Sequence, residues 1–459
     1  MKQKANDAPK EHKEHKKNWR EMCATEEDIQ NFLNGTLYLR MNEVSGEAEF
    51  RVPSIGEYAA MRIRYPTGRT PLDEWRDNDA WQVVDDRLVN SLCNMLSVEK
   101  VVNPNKIWQV IKSDFVQRYN PFRHYLNRLP PWTEDTNPIL SLAMDVKVKG
   151  GMDEQMLFYL CLRKWLVAMV AGWLDDNVVN EKILVLVGRQ GIFKTTWFEH
   201  LLPPELAGYF HSNASFGRMD KDEILKLSRY GLICCEELDT MKPTEMNRLK
   251  WAVTTKETCE RKAYDHSPQR RKHIASYCGT GNNLQFIDDD TGTRRWLPFE
   301  VESIRSPREY RIRHEEIFAQ AYKLYLNDFR YWFEGSEEEL LCRHNHRFEV
   351  AKPELELISR FYRVPAKGEA SVFVSASEIM QTIGGQLTYQ LTMNKLGRAM
   401  SALGFVSMRS RGRRGYNVVA YSGADMEVNK TMMAYEAQPE SETAVVTQQE
   451  IRDAFDTLF

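Results

Sequence analysis

The sequence lacks the signatures of several protein classes. None of its eight cysteines forms a CxxC pair, which disfavours common zinc and redox motifs and indicates free thiols in a reducing cytosol. The first residues, 1–20, are polar and lysine-rich without an apolar segment, so they do not form a secretory signal. The most apolar stretch, 156–174, is interrupted by Arg163 and Lys164 and falls short of the roughly 20 uncharged residues of a membrane span. These absences predict a cytoplasmic protein without a membrane partner.

The composition is that of a globular chain with more than one domain. Hydrophobic residues make up 42% and charged residues 28% of 459 residues, whereas one domain usually holds about 100–200 residues. The net charge of -3 does not decide for or against nucleic acid, because a basic face can be offset by acidic surface elsewhere. The predicted segments are a disordered leader (1–20), an α-rich N-terminal region with a β-hairpin (21–150), an α/β domain (151–335), a small basic domain (355–422) and an acidic tail (423–459).

The outer segments carry structural rather than catalytic patterns. Alternating residues from 37 to 52 flank Ser45 and Gly46, which predicts the hairpin, and apolar positions at helical spacing follow from 85 to 129. The acidic tail ends in a short amphipathic piece that includes Ile451 and Phe455, which predicts a docking helix.

A strand, a loop and a helix follow one another in ILVLVGRQGIFKTTWFEHLLP, residues 183–203. This is the context that a phosphate-binding loop requires. Backbone N–H groups would hold the phosphates of ATP, Lys194 would neutralise them, and the Thr195 hydroxyl would ligate Mg²⁺. The residues predicted to bind ATP are Gly188, Gln190, Gly191, Phe193, Lys194, Thr195 and Thr196.

Phe193 departs from the pattern GxxxxGK[ST], which has glycine at that position. A Cβ atom there costs free energy if the loop requires a positive φ. The departure leaves the nucleotide affinity open.

Polar residues that fit phosphoryl transfer follow two further strands. In RYGLICCEELDTM, Glu236 is predicted to hold Mg²⁺ and Glu237 to orient the attacking water. In HIASYCGTGNN, Asn282 can sense the γ-phosphate through a hydrogen bond. In isolation, paired acids also begin solvated helices and Gly-Asn forms simple turns, but their order after the loop favours catalysis.

An arginine pair, Arg294 and Arg295, stands on a turn before the next strand in DDDTGTRRWLPFEV. Guanidinium stabilises the charge on a transferring phosphoryl group, often from a neighbouring subunit, which predicts a homo-oligomeric ring. Which of the two is the arginine finger stays open.

These motifs, in this order, resemble the core of superfamily 3 helicases. GRQGIFKTT, CCEELD, GTGNN and TGTRRW, with the upstream stretch FVQRYNPFRHYLNRLPPW, are similar to the virulence-associated protein E family of phages and other mobile elements. The resemblance implies an AAA+-like P-loop ATPase in which the residues above have the stated roles. Longer relatives carry a primase-like part upstream, and the N-terminal region is short for one, so primer synthesis would require a separate primase.

Two basic segments are candidates for contact with single-stranded DNA or an origin duplex. The first, ERKAYDHSPQRRKH at 260–273, is predicted to form a basic hairpin in a ring channel, although a solvated charged loop has the same composition. The second, 355–422, is predicted to be a winged helix with a helix capped near Ser377, a second helix at 393–403, and strands 405–408 and 416–420 around an arginine-rich turn. A protein-binding winged helix is the alternative. The DNA-binding candidates are Arg261, Lys262, Arg270, Arg271, Lys272, Arg409, Arg411, Arg413 and Arg414.

The fold predicted is therefore α/β, with a P-loop core, an α-rich N-terminal region and a C-terminal winged helix. The main function predicted is an ATP- and Mg²⁺-dependent DNA helicase in mobile-element or prophage replication. One alternative is a replication initiator that uses ATP only as a switch, which Phe193 favours and the acid pair disfavours. Another is an ATPase sensor in antiphage defence whose acidic tail recruits an effector.

Overall fold

Two units make up the chain, Met1–Leu129 and Pro130–Phe459. The computed structural model describes residues 22–54, 57, 80–213, 221–260, 269–288, 293–387, 390–410, 412–422 and 447–455. The predicted leader and most of the predicted acidic tail lie outside these residues.

The N-terminal unit contains the predicted hairpin. Strands β1 (Tyr38–Asn42) and β2 (Glu47–Arg51) pair antiparallel, and Gly46 in the turn has a φ of 63°. The remaining strands are β3 (Gln82–Val83) and β4 (Arg118–Tyr119), and the sheet order is β3-β2-β1-β4. Its helices are α1 (Glu26–Asn34), α2 (Asp86–Leu96), α3 (Pro104–Ile111) and α4 (Pro121–Asn127).

Polar side chains fix the starts of these helices. Thr25, Asp85 and Asn103 each accept a hydrogen bond from a backbone N–H of the first turn, which satisfies a group that has no partner within the helix. The apolar faces then bury Leu33, Leu88 and Ile107 in a common core.

A six-stranded sheet forms the centre of the second unit. Its order is β5-β12-β6-β11-β8-β7, in which β5 is antiparallel to β12 and the others are parallel. A separate antiparallel pair is formed by β9 and β10. The strands are β5 (Val146–Val148), β6 (Ile183–Val187), β7 (Phe210–Asn213), β8 (Leu232–Cys235), β9 (Glu257–Glu260), β10 (Gln269–Lys272), β11 (Ser276–Gly281) and β12 (Trp296–Ile304).

Helices and short 3₁₀ turns connect these strands. The helices are α5 (Pro138–Met144), α6 (Gly151–Leu174), α7 (Lys194–Glu199), α8 (Lys221–Arg229), α9 (Pro243–Thr254), α10 (His314–Leu326) and α11 (Ser336–Asn345). The 3₁₀ turns are Pro204–Tyr209, Leu238–Thr240 and His346–Phe348. Helix α5 packs on α6 and β5 pairs with β12, so the sheet unit begins before the predicted position at residue 151.

Helix α6 is buried on all sides rather than along one stripe. It is long and apolar enough to cross a membrane, but 94% of its most apolar window is buried inside the protein, which is typical of a core helix. Lys164 in its middle forms a fully buried ion pair with Glu337, with 2.8 Å between Nζ and Oε1. Burial lowers the pKa of Lys164, although Glu337 opposes that effect.

Helices pack on a small sheet in the C-terminal part. Its elements are α12 (Pro353–Phe361), β13 (Tyr362–Arg363), β14 (Val372–Ser375), α13 (Ala376–Gly384), α14 (Met393–Ala402), β15 (Ser407–Ser410) and β16 (Arg413–Ala420). The cap of α13 is Ser375, two residues before the predicted Ser377, because Ser375 accepts from the Glu378 N–H. Helix α14 ends just before Gly404, whose φ is 85°.

The hairpin β15–β16 is longer than the sequence predicts. Pairing runs from Ser407 opposite Tyr416 to Ser410 opposite Arg413, because Gly412 adopts a φ of 79° and allows a tight turn. The predicted arginine-rich turn is therefore wrong in extent: Arg409, Arg413 and Arg414 lie in strands. Arg411 lies outside the described residues.

The amphipathic end of the chain docks on the same unit. Helix α15 (Gln448–Ala454) packs on α11, and Ile451 and Phe455 are buried. The Arg343 guanidinium lies 2.6 Å from the Glu450 carboxylate and fixes the contact at its rim.

Candidate nucleotide site and basic surfaces

The loop after β6 has the predicted strand, loop and helix order. The Gly188 N–H donates to the Gly281 carbonyl at 3.1 Å, which ties the start of the loop to the end of β11. A Cβ on Gly188 would lie 2.7 Å from the Val301 carbonyl oxygen, so a larger residue would push the loop off β12. Gly191 has a φ of 85°, which a glycine adopts without strain.

Phe193 adopts the conformation that a glycine would favour. Its φ is 68° and its ψ is 19°, in the left-handed region, and it immediately precedes the first residue of α7. A residue with a Cβ pays about 1–2 kcal/mol for this conformation. The loop therefore keeps a glycine-like path in spite of the substitution.

The amine of Lys194 lies inside the loop. Its Nζ atom donates to the carbonyls of Gly188 at 2.6 Å and Arg189 at 2.7 Å, and to Asn282 Oδ1 at 3.3 Å. Only 7% of the Lys194 residue is exposed. Burial lowers the pKa of Lys194, and the charge of Asp239 acts in the opposite direction.

The sheet order explains why Lys194 and Asn282 meet. Strand β11 lies between β6 and β8 in parallel register, so Asn282 at its carboxyl end stands between the loop and the acids. Neighbouring strands are about 4.8 Å apart, so the loop and the acids are separated by roughly 10 Å. A triphosphate can bridge that distance.

The predicted acids follow β8 at the same edge. Ser212 Oγ donates to the Glu236 carboxylate, and the Glu236 N–H donates to the Asn213 carbonyl at 3.0 Å. Glu237 is exposed, with a φ of 51°. Thr195, in the first turn of α7, adds a hydroxyl oxygen, and hydroxyl and carboxylate oxygens suit Mg²⁺.

Asp239 is a site residue that the sequence reasoning missed. Its carboxylate accepts from the Asn282 N–H at 3.1 Å, the Asn283 N–H at 3.2 Å and the Asn283 side-chain amide at 2.6 Å. Asp239 thereby holds the end of β11, where Asn282 contacts Lys194. The sequence contained a signal for this residue, because Asp239 is the third acid of CCEELD and follows the pair Glu236 and Glu237.

The arginine pair lies at the amino ends of the parallel strands, opposite the edge that carries the loop and the acids. The Arg295 carbonyl accepts from the Ile183 N–H at 2.8 Å, which places Arg294 and Arg295 at the amino end of β6. Five residues of β6 separate this edge from the loop, a span of about 16 Å. The structure therefore does not bring these arginines together with Lys194 of the same chain.

Strands β9 and β10 pair as the predicted basic hairpin requires, whereas Arg261 and Lys262 lie outside the described residues. Arg270 is exposed, and its guanidinium lies 4.0 Å from Glu257. Arg271 is half-buried. Lys272 is turned inward, 17% exposed, with its Nζ atom 3.6 Å from Asp176. Of the described candidates here, Arg270 is the one most accessible to phosphate.

The described arginines of β15 and β16 are exposed. Arg409 stands directly opposite Arg414 in the pair, and Arg414 Nε donates to Ser407 Oγ at 3.0 Å. Like charges that face each other across strands disfavour pairing, so a bound anion would stabilise this hairpin.

Together the parallel sheet and the polar groups at its carboxyl edge define a mixed α/β domain with a candidate phosphate site. Over residues 131–350 the chain matches the model of the virulence-associated protein E-like domain. Residues 131–350 thus form a VapE-like domain, in agreement with the resemblance of the motifs in this range to the virulence-associated protein E family.

The solved structures include distant matches. An apo structure of the NrS-1 C-terminal region, residues 305–718, is 11% identical with a TM-score of 0.40, covering 86% of this chain and 98% of that one. The A form apo structure of the same region is 12% identical with a TM-score of 0.39 and the same coverage. No curated protein matches the sequence. Similarity at this level carries no argument about function, which therefore rests on the residues of the site.

Proposed function

We propose that this protein is an ATP-dependent, superfamily 3-type DNA helicase motor with an AAA+-like P-loop core, acting in the cytoplasm in the replication of a mobile element or prophage. The observation that carries the proposal is the position of the Lys194 amine, buried between the loop carbonyls and Asn282. A buried lysine at a loop and helix junction, with two acids at the same edge of the sheet, is an arrangement for binding and cleaving a triphosphate.

Each side chain would act at a defined point of ATP hydrolysis. When phosphates enter the loop, the Lys194 amine exchanges its carbonyl partners for phosphate oxygens. Because Asn282 Oδ1 accepts from Lys194, the Asn282 amide N–H is available to donate to the γ-phosphate. Glu237 orients the attacking water and polarises it. Mg²⁺, held by Thr195 and Glu236, supplies charge neutralisation when bound.

The arginine finger would come from a neighbouring subunit. Arg294 and Arg295 lie at the sheet edge opposite Lys194, so a head-to-tail contact between copies is required to bring an arginine to a nucleotide. Such contacts close into a ring when the rotation between subunits allows it.

Two basic surfaces would bind DNA. Arg270 on β10, together with Arg261 and Lys262 of the same basic segment, would contact the phosphates of a single strand in the ring channel. The elements from α12 to β16 would act as a winged helix, in which Arg409, Arg413 and Arg414 contact phosphates of an origin duplex. A separate primase would supply primers.

The test is steady-state ATP hydrolysis with and without single-stranded DNA, for the wild type, Lys194→Ala and Glu237→Gln. We expect DNA-stimulated turnover in the wild type and a loss of about 100-fold or more in each variant, since each removes a group that acts on the reacting phosphoryl group or water. ATP binding should weaken in Lys194→Ala and persist in Glu237→Gln. Turnover that survives both changes would contradict the proposal.

A second candidate is a replication initiator that uses ATP as a conformational switch. Phe193 favours it, because the residue replaces the glycine of the hydrolytic pattern at a position with a φ of 68°. ATP binding without hydrolysis in the wild type would select this function.

A further inference from the structure

A basic cleft of about 720 Å³ lies between helix α9 and the helices α12 and α14. Cationic side chains come from both sides: Lys250 from α9, Lys352 from the segment before α12, and Lys395 and Arg398 from α14. None of these residues was among the sequence candidates for DNA binding.

The acids of the cleft leave it with an excess of positive charge. Its lining contains four basic side chains but only two acidic ones, Asp288 and Glu354. Glu354 is buried and lies 3.4 Å from Lys395, whereas Asp288 is exposed and lies 4.0 Å from Lys352. The ion pairs orient Lys352 and Lys395 in the cleft, and Lys250 and Arg398 line it from opposite sides.

The positive charge continues beyond this cleft. Asn394, at the start of α14, lines it and also lines a second hollow of about 640 Å³, in which Arg413 and Arg414 on β16 outnumber the one acidic side chain, Glu378. A path of cations longer than one pocket fits a chain of phosphates better than a single small anion.

We propose that the sugar-phosphate backbone of single-stranded DNA lies in this cleft and continues along the start of α14 toward β16. The inference rests on the proposed function and names a DNA path for it. A cleft lined by lysine and arginine suits the backbone of a single strand, because basic grooves bind phosphates without reading sequence.

The path would connect DNA to the nucleotide site. Helix α9 begins at Pro243, directly after the 3₁₀ turn Leu238–Thr240, which carries Asp239. Asp239 holds the end of β11 beside Lys194. A DNA strand that pulls on α9 would therefore act on the segment that positions Asn282.

The test is the binding of a fluorescent single-stranded oligonucleotide, measured by anisotropy at several salt concentrations without ATP. We expect the double variant Lys250→Gln/Arg398→Gln to bind about tenfold or more weakly at low salt, with a salt slope reduced by about 1.4, from roughly 0.7 for each lost charge on a single strand. Lys323→Gln, which removes an exposed charge on α10, is the matched control and should bind as the wild type does. Lys352→Gln is a second cleft variant in case the double variant does not fold.

Unchanged affinity and salt slope in the folded cleft variants would overturn the inference. So would a loss confined to duplex DNA or RNA while single-stranded DNA still binds normally. Weaker DNA binding in a protein whose wild type shows no DNA-stimulated hydrolysis would support the cleft and contradict only the proposed motor function.

Discussion

At the scale of single residues, Phe193 shows how a loop can keep its shape while its sequence departs from the usual pattern. The residue occupies the left-handed region with a φ of 68°, and the next residue, Lys194, still places its amine among the loop carbonyls. The conformational cost is about 1–2 kcal/mol, which tertiary contacts of the loop and helix must offset.

Substitutions at position 193 should therefore rank by their tolerance of a positive φ. We expect Phe193→Gly to bind ATP at least as tightly as the wild type, and Phe193→Val to bind roughly fivefold more weakly, because a β-branched residue resists this conformation by about 1 kcal/mol more. Isothermal titration with a non-hydrolysable ATP analogue measures the affinity. Phe193→Leu is the unbranched control, and a valine variant that binds as the wild type does would refute the ranking.

The sequence predicted the contact partners of the nucleotide site only in part. Lys194 and Asn282 could be predicted because both follow strands, and parallel strands end at the same edge of a sheet. Asp239 stands beside the predicted acids in CCEELD, but its bonds to the backbone of Asn282 and Asn283 could not be predicted, since they depend on the 3₁₀ turn after β8. Only the folded order of β8 and β11 brings these segments together.

At the scale of elements, the β9–β10 hairpin is fixed to the sheet domain at His273. This residue is fully buried, and its Nδ1 atom lies 2.5 Å from the Thr255 carbonyl, so Nδ1–H donates. Burial lowers the pKa of His273 to about 4. The neutral ring thereby links the end of α9 to the strand that leads into β11.

Acid should weaken this anchor in a defined pH window. The unfolded chain has a histidine pKa of about 6.5, above the folded value, so the unfolded state binds more protons as the pH falls. We expect the stabilisation by His273 to be complete above about pH 6.5 and to decline as the pH falls toward the folded pKa of about 4. His273→Asn keeps a donor near Nδ1 but does not titrate.

The measurement is the free energy of unfolding by urea, for the wild type and His273→Asn between pH 7 and pH 5. The advantage of the wild type should shrink with falling pH, because only the wild type gains a proton on unfolding at this position. A difference that stays constant across the range would show that His273 is not buried as a neutral ring.

At the scale of the whole molecule, the two edges of the parallel sheet carry different chemistry. Lys194, Glu236 and Asn282 follow the carboxyl ends of the strands, whereas Arg294 and Arg295 precede the amino end of β12. About 16 Å of strand separates them, so in the proposed mechanism one chain would supply both kinds of group without bringing them to the same nucleotide.

Two inactive variants should therefore restore activity when mixed. Lys194→Ala lacks the lysine proposed to bind the nucleotide but keeps both arginines. The double variant Arg294→Ala/Arg295→Ala lacks both arginines but keeps Lys194. In random head-to-tail assembly, about one interface in four would combine the intact halves, so we expect mixed samples to recover up to roughly a quarter of wild-type hydrolysis. Activity of the arginine variant alone, or no recovery in mixed oligomers, would contradict catalysis in trans.

The domain boundaries and long-range strand pairing were harder to predict from the sequence than the motifs were. The predicted α/β domain is present. Helix α5 and strand β5, which precede residue 150, also belong to its unit, because β5 pairs with β12, the strand of this sheet that comes last in the chain. A pairing between segments so distant in the chain leaves no local pattern. The hairpin β1–β2, whose partners are adjacent in sequence, was predicted correctly.

The burial of most of α6 also bears on how the chain is synthesised. Trp173 stacks on Phe318 and Lys164 pairs with Glu337, so the helix is covered only by residues that lie about 145 to 165 positions beyond its end at Leu174. At about 5–20 residues per second, a ribosome takes roughly ten to thirty seconds to supply them. During that time Arg163 and Lys164 oppose insertion of this helix into a membrane, since a charge at the centre of a span costs about 2.5–3.5 kcal/mol. The lysine that later forms a buried ion pair thus also protects the nascent chain from mistargeting.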